Sequence, residues 1–440
     1  MRARPLLLTL IAVWATLPRA ETVKDREGAV RADRARHRED PRWIYNDVER
    51  GFREATRLGK PLLVTLRCVP CLSCLGMDAA VLESRELSPW LDAFVCVRVI
   101  NANALDLGRF QFDYDLSFST LFFNGDGTVY GRFGSWMHQR DREARDLHAF
   151  LAALEGALAI HRGYPGNRLA LAGKQGAPTP FRTPVEIPAL AGKYGRELDW
   201  GGKVVQSCVH CHQIGDALRT HHRQAGRPLP PELIYPMPDP LAVGLRFDPH
   251  AAARVEAVEP GSAAARAGFR PGDEVAAANG SPLLSVTDLA WALHRSPERG
   301  ELRLLTRRAG VERELRLPLE EGWRARSDIS GRVGTWGMRG MALGGLKLER
   351  VPDAERGPLA LSPRDLALRV KHVGQYGAHA AAKQAGFRVG DVLVAVEGVQ
   401  GDLSEGGLIG HLLTHQPKPV RLPARVLRDG RPVDLRLPVQ

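Results

Sequence analysis

An apolar run from Pro61 to Leu66 leads directly into three cysteines, Cys68, Cys71 and Cys74, each separated by two residues. The run reads as a buried strand, and the stretch around Met77 to Glu83 reads as a helix. A strand that delivers Cys-x-x-Cys to a helix N-terminus is a layout for thiol chemistry. The thiolate is the reactive form, and the helix end stabilises its charge. Half of the six cysteines lie here. Cys208 and Cys211 form a second Cys-x-x-Cys, followed by His212. Cys96 alternates with valines and reads as a buried thiol in a strand.

The surrounding pattern supplies a domain of residues 41–160. Ile44, Val48, Phe52 and Ala55 recur at helical spacing, with Asp40-Pro41 as cap and first turn and Gly59 as the stop. Phe94 to Ile100 reads as a strand. Asn124-Gly125-Asp126-Gly127 between Thr120–Phe123 and Thr128–Phe133 is a hairpin signal. Leu147, Leu151, Leu154 and Leu158 mark a closing helix. With Gly59-Lys60-Pro61 before the strand and Met77-Asp78 after the cysteines, this domain resembles the bacterial branch of the thioredoxin-like family. The resemblance implies that Cys71 attacks, Cys74 resolves and Cys68 is an extra cysteine. Two positions depart from it: Pro70 replaces the usual tryptophan, and Ser119 stands where the family has a cis-proline. An active dithiol, a structural disulfide and a metal or cluster site using all three cysteines are the alternative uses of this stretch.

A chain of 440 residues is too long for one small core, so several domains are expected. The net charge of +11 is spread among acids, with no basic run interleaved with aromatics, so nucleic acid is not an expected partner. Arg2 and Arg4 precede an apolar run from Leu6 to Leu17, too short to span a bilayer comfortably, which suits a signal peptide over residues 1–20. Cleavage would follow Ala20 or Ala15; an uncleaved anchor is the alternative. Either way a periplasmic or secreted location is expected, where disulfide chemistry is plausible. Residues 21–40 are dense in charge and read as a linker.

Residues 161–199 are rich in Gly, Pro and Ala and read as a second linker. Within 200–240, Cys208-Val209-His210-Cys211-His212 has the c-type haem pattern: two thioethers and an axial imidazole from His212. The preceding Gly-x-Val-Val-x-x-Cys resembles the first helix of a monohaem cytochrome c, and Met237 is the candidate distal ligand. The rival is zinc on Cys208, Cys211, His221 and His222.

An internal repeat follows. Ala263 to Val275 recurs as Ala381 to Leu393, each copy containing Ala-Gly-Phe-Arg-x-Gly-Asp. With Pro260-Gly261-Ser262 ahead of the first copy, this resembles bacterial PDZ domains, over 241–320 and 321–440. Such domains take an extended peptide C-terminus as an added strand, with backbone N–H groups holding its carboxylate. The candidate loops are Val243-Gly244-Leu245 and Leu343-Gly344-Gly345-Leu346, with groove helices over Val286 to His294 and Leu408 to His415. There is no Gly-x-Ser-x-Gly and no Walker loop, which argues against hydrolase and nucleotide chemistry of those types.

The expected fold is a multidomain α+β chain: a thioredoxin-like α/β domain, a short haem-c-like helical segment and two PDZ-like β-rich domains. The arrangement resembles a bacterial family of exported thioredoxin/PDZ proteins, some of which carry selenocysteine. The expectation is an exported thiol–disulfide oxidoreductase or redox relay with haem, recruiting a redox protein partner by its tail. The alternative is a non-enzymatic peptide-binding scaffold with structural disulfide and zinc sites.

Overall fold

The computed structural model describes residues 25–69, 84–116, 118–134 and 147–440. The expected signal peptide, Cys71, Cys74 and the helix expected around Met77 to Glu83 lie outside these described residues.

The first unit is a five-stranded mixed sheet. Its strands are β1 (Trp43–Tyr45), β2 (Leu62–Arg67), β3 (Val95–Val99), β4 (Phe118–Phe123) and β5 (Val129–Phe133), in the order β1-β3-β2-β4-β5. β1 and β2 run parallel to β3, while β4 and β5 are antiparallel. Every residue of β2 to β5 is buried, because helices cover both faces, and this is why these strands read as nearly unbroken apolar runs. Helix α2 (Val48–Leu58) lays Phe52 and Ala55 on one face. The closing helix (Leu147–Arg162) lays Phe150, Ala153 and Leu154 on the other. Gly51 lets α2 come close to the sheet: a Cβ there would lie 2.4 Å from Val97.

Three expectations are corrected. The helix starting at Pro41 is instead a strand and a shorter helix. Trp43–Tyr45 pairs with Cys96–Arg98, Asn46 turns the chain at φ 58°, and Asp47 caps α2 by accepting from Arg50 N. Ile44 fitted the helical spacing only because it precedes the helix by a turn's length. The charged stretch 21–40 is not a free linker, since Arg26–Arg38 forms helix α1, packed against β1. Nor is 161–199 one: its 3₁₀ turns bury Leu171 against the closing helix, and Ile187 and Leu190 against Val209 and Ile214.

The β-rich remainder contains two units. The first has a four-stranded sheet and a separate pair, β6 (Leu245–Phe247) with β7 (Val255–Val258). The second has one five-stranded sheet. The sequence repeat is a structural repeat. Asp273 accepts from Arg270 N and from the guanidinium of Arg308, which also donates to Gly268 O. Asp391 accepts from Arg388 N and from Arg428, which donates to Gly386 O. Gly268 and Gly386 both have strongly positive φ, which is why Ala-Gly-Phe keeps its glycine. The groove helices are present over Val286–His294 and, one turn longer than expected, Glu405–His415.

The units lock together. The Val286–His294 helix presses on β5, where Gly131 leaves no room for a side chain: a Cβ would lie 2.5 Å from Asp288. Asp288 accepts from Arg132 N, and Ser285 Oγ donates to Arg132 O, so the edge strand's polar groups are paired across the interface.

Candidate functional site

The end of β2 and the second Cys-x-x-Cys meet. Cys68 leaves β2 one residue past its end, and its Sγ lies 3.1 Å from His210 Nδ1. Cys68, Cys208, His210 and Cys211 line one apolar cavity of about 20 Å³ with Val69, Ile100 and Val204. Cys68 of the first motif and the second motif, about 140 residues apart in the chain, therefore form one site.

Three sets of contacts hold it. Asn103, fully buried, donates to Gly195 O and Ser207 O and accepts from Val209 N at 2.7 Å. Cys208 Sγ donates to Ile100 O at 3.4 Å. Helix α1 straps the segment from outside. Glu27 accepts from Val204 N and Val205 N, Arg31 donates to Gly202 O, and Arg34 lies over the Trp200 ring. The same helix drives Asp33 beneath the sheet end, 2.7 Å from Arg67 and 3.5 Å from Arg98, with Tyr45 donating to it. Burial alone would raise the Asp33 carboxyl. Arg67 and Arg98 outweigh it and hold the group below the ordinary carboxylate range. Burial pushes the Cys208 thiol up to about 11 and the His210 imidazole down, helped by His212 and Arg26. Cys96 is sealed in β3, with its thiol pushed up to about 12 by burial, as expected of a packing cysteine.

Cys211 opens helix α3 (Cys211–Gln224). Its position at the first turn gives it the helix's positive end, whereas Cys208 sits in the apolar loop before it. Sequence reasoning missed Asn103, Asp33 and Glu27. Each sits in a polar or charged stretch with no motif, and only their buried placement reveals their role.

A thioredoxin-like family model matches residues 43–125, the span from β1 to the β4–β5 turn. A PDZ domain model matches residues 254–308 in the first β-rich unit. The chain carries a thioredoxin-like domain and a PDZ domain. No curated protein matches it. The thioredoxin-like domain suggests a redox or thiol–disulfide role, and the PDZ domain suggests peptide binding.

The haem expectation does not fit the residues as arranged. The cavity shared by Cys208 and Cys211 has room for about one water, not a macrocycle. The helix begins at Cys211 instead of running into the motif, and the His212 ring stacks on His210. Met237 packs with Ala290 and Trp291 of the PDZ domain and is absent from the cavity wall. The zinc set is not assembled either. At 1.5 Å per residue, His221 and His222 stand roughly 15 Å along α3 from Cys211. His221 packs edge-on against Phe181. Among the described residues no three His, Cys, Asp or Glu side chains form a metal-holding group.

The peptide loops differ. Gly244 N donates to Leu241 O, but beside Val243 and Gly244 an open cleft of about 380 Å³ is lined by Glu259, Ser262 and Arg326. Leu245 opens β6, which pairs only with β7 among the described strands. In the second unit, Leu343 ends a helix and Leu346 begins a strand, with Gly344 and Gly345 between them donating to Arg339 O. Farther along that strand Leu348 N donates to Glu405. These donors are committed within the fold, so the second loop is not set out as a carboxylate site.

Proposed function

We propose that this chain is an exported thiol–disulfide exchange protein whose thioredoxin-like domain acts on a protein partner held by its PDZ domain. The observation that carries this is the convergence of Cys68 with Cys208 and Cys211 at the end of β2, where the chain runs on towards Cys71 and Cys74. Cys71 thiolate attacks a partner disulfide, forming one S–S bond and releasing one partner thiolate. Cys74 then attacks Cys71, frees the second partner thiol and leaves a Cys71–Cys74 disulfide, which an external dithiol reduces. The partner's tail adds along β6 with its carboxylate toward the cleft rimmed by Arg326, which raises its effective concentration at the cysteines. The second β-rich unit is a PDZ-like copy that serves packing.

The test is Cys74→Ser in the exported full chain. Mixed disulfides with other proteins should accumulate, be released by dithiothreitol and vanish when Cys71→Ser is added. Absence of any adduct, together with no dithiol-dependent reduction of a protein disulfide by the unaltered chain, would leave the peptide-binding scaffold as the better reading.

A further inference from the structure

The thioredoxin-like resemblance gives no role to Cys68, and the thiol–disulfide reading above gives none to the second Cys-x-x-Cys. Yet these three cysteines line one apolar cavity. We propose that they form an internal exchange site in which Cys68 attacks the oxidised Cys208–Cys211 pair, giving a Cys68–Cys208 disulfide. This rests on the thiol–disulfide reading above.

The geometry sets the direction. Cys68 Sγ is in hydrogen-bond contact with His210, one of the two residues between the target cysteines, so its sulfur is held against that loop. Cys211 lies in the first turn of a 14-residue helix, where a departing thiolate is stabilised. Cys208 sits half-buried in an apolar loop with its sulfur toward Ile100 O, where a thiolate is disfavoured. Attack therefore falls on Cys208, and Cys211 leaves. One S–S bond is broken and one is formed. The proton lost by Cys68 ends on Cys211 directly or through solvent, and no electrons enter or leave the chain. The two-electron oxidation that first makes the Cys208–Cys211 disulfide comes from an external disulfide such as oxidised glutathione. The new bond ties the second motif to the end of β2.

In Cys211→Ser in the full chain, oxidised glutathione forms a mixed disulfide on Cys208, Cys68 attacks it with glutathione leaving, and the bridge should accumulate because no Cys211 thiol is present to reverse it. After equilibration in an oxidising glutathione buffer, proteolysis and mass spectrometry should find the Cys68 and Cys208 peptides joined. Cys68 should also lose its reactivity toward iodoacetamide, and regain it on reduction. In Cys208→Ser the joined peptide should be absent and Cys68 should stay reactive under the same oxidation. Glutathione on Cys208 with Cys68 still alkylated in the Cys211→Ser chain overturns the proposal. Circular dichroism of each variant matched to the parent excludes misfolding as the cause. The two readings fail separately. A trapped partner in Cys74→Ser without the joined peptide removes only the internal exchange. A joined peptide without any trapped partner leaves the exchange standing and removes the external activity.

Discussion

At the scale of the residue, Asp33 meets two buried guanidinium groups at the sheet end. Arg67 and Arg98 are almost fully buried, and both reach the Asp33 carboxylate. Removing Asp33 takes a carboxylate away from two buried guanidinium groups, and breaking a buried ion pair costs about 3–5 kcal/mol. Asp33→Ala is therefore expected to lower the unfolding free energy by about that much in urea titrations, against under about 0.5 kcal/mol for a surface substitution. A surface-like result would dismiss the ion-pair account. Nothing in the sequence marks Asp33, which lies in a run of alternating charges. Cys68, by contrast, was visible as a cysteine, but its neighbour His210 was not. Hydrogen bonds between residues about 140 apart leave no local pattern.

At the scale of the element, the Val286–His294 helix carries a titration that its apolar pattern hides. His294, at its last turn, is held down to about 3 by burial and by Arg324, Arg295, Arg132 and Arg332. Its Nδ1 also accepts from Met237 N. In the unfolded chain it titrates near its ordinary value of about 6.5. As pH falls below that value, the unfolded chain takes up a proton that the folded chain refuses. The stability present above pH ~6.5 is then lost progressively down to about pH 3, by roughly 1–2 kcal/mol at pH 5 for a shift of this size. Between pH 7 and pH 5 the melting temperature should fall in the parent and fall less in His294→Asn, whose amide oxygen can replace the Nδ1 acceptor. Equal slopes would exclude His294 as the source. Long periodic segments were the most legible elements: the repeat, the β4–β5 hairpin and both groove helices follow from spacing and glycines. β1 was not, because three residues cannot show a period and depend on β3 for their structure.

At the scale of the whole molecule, the units complete one another. Asp113 of the thioredoxin-like unit lies 2.6 Å from Arg332, which also donates to Pro236 O, so the connector and the second β-rich unit are fastened to the same loop. Edge strand β5 is paired by Asp288 and Ser285, and the cavity at β2 is walled by residues 198–211. Residues 41–160 made alone would expose both surfaces and lose α1. That fragment is expected to aggregate, or to melt below the full chain with Cys68 and Cys96 alkylated faster, by light scattering and thiol labelling. A monomeric fragment of unchanged stability would mean the other units contribute nothing to this fold.

The sequence by itself determined the secondary structure of the long elements, the thioredoxin-like and PDZ regions and the thiol character of Cys68 to Cys74 and Cys208 to Cys211. Periodicity, turn residues and cysteine spacing are local, and local energetics record them. Only the tertiary structure decided that 21–40 and 161–199 are packed supports instead of linkers, that Met237, His221 and His222 stand apart from Cys208 and Cys211, and that Cys68 shares a cavity with Cys208 and Cys211. Those outcomes depend on burial and on pairings across distant segments, whose free energy exists only once the chain has brought them together.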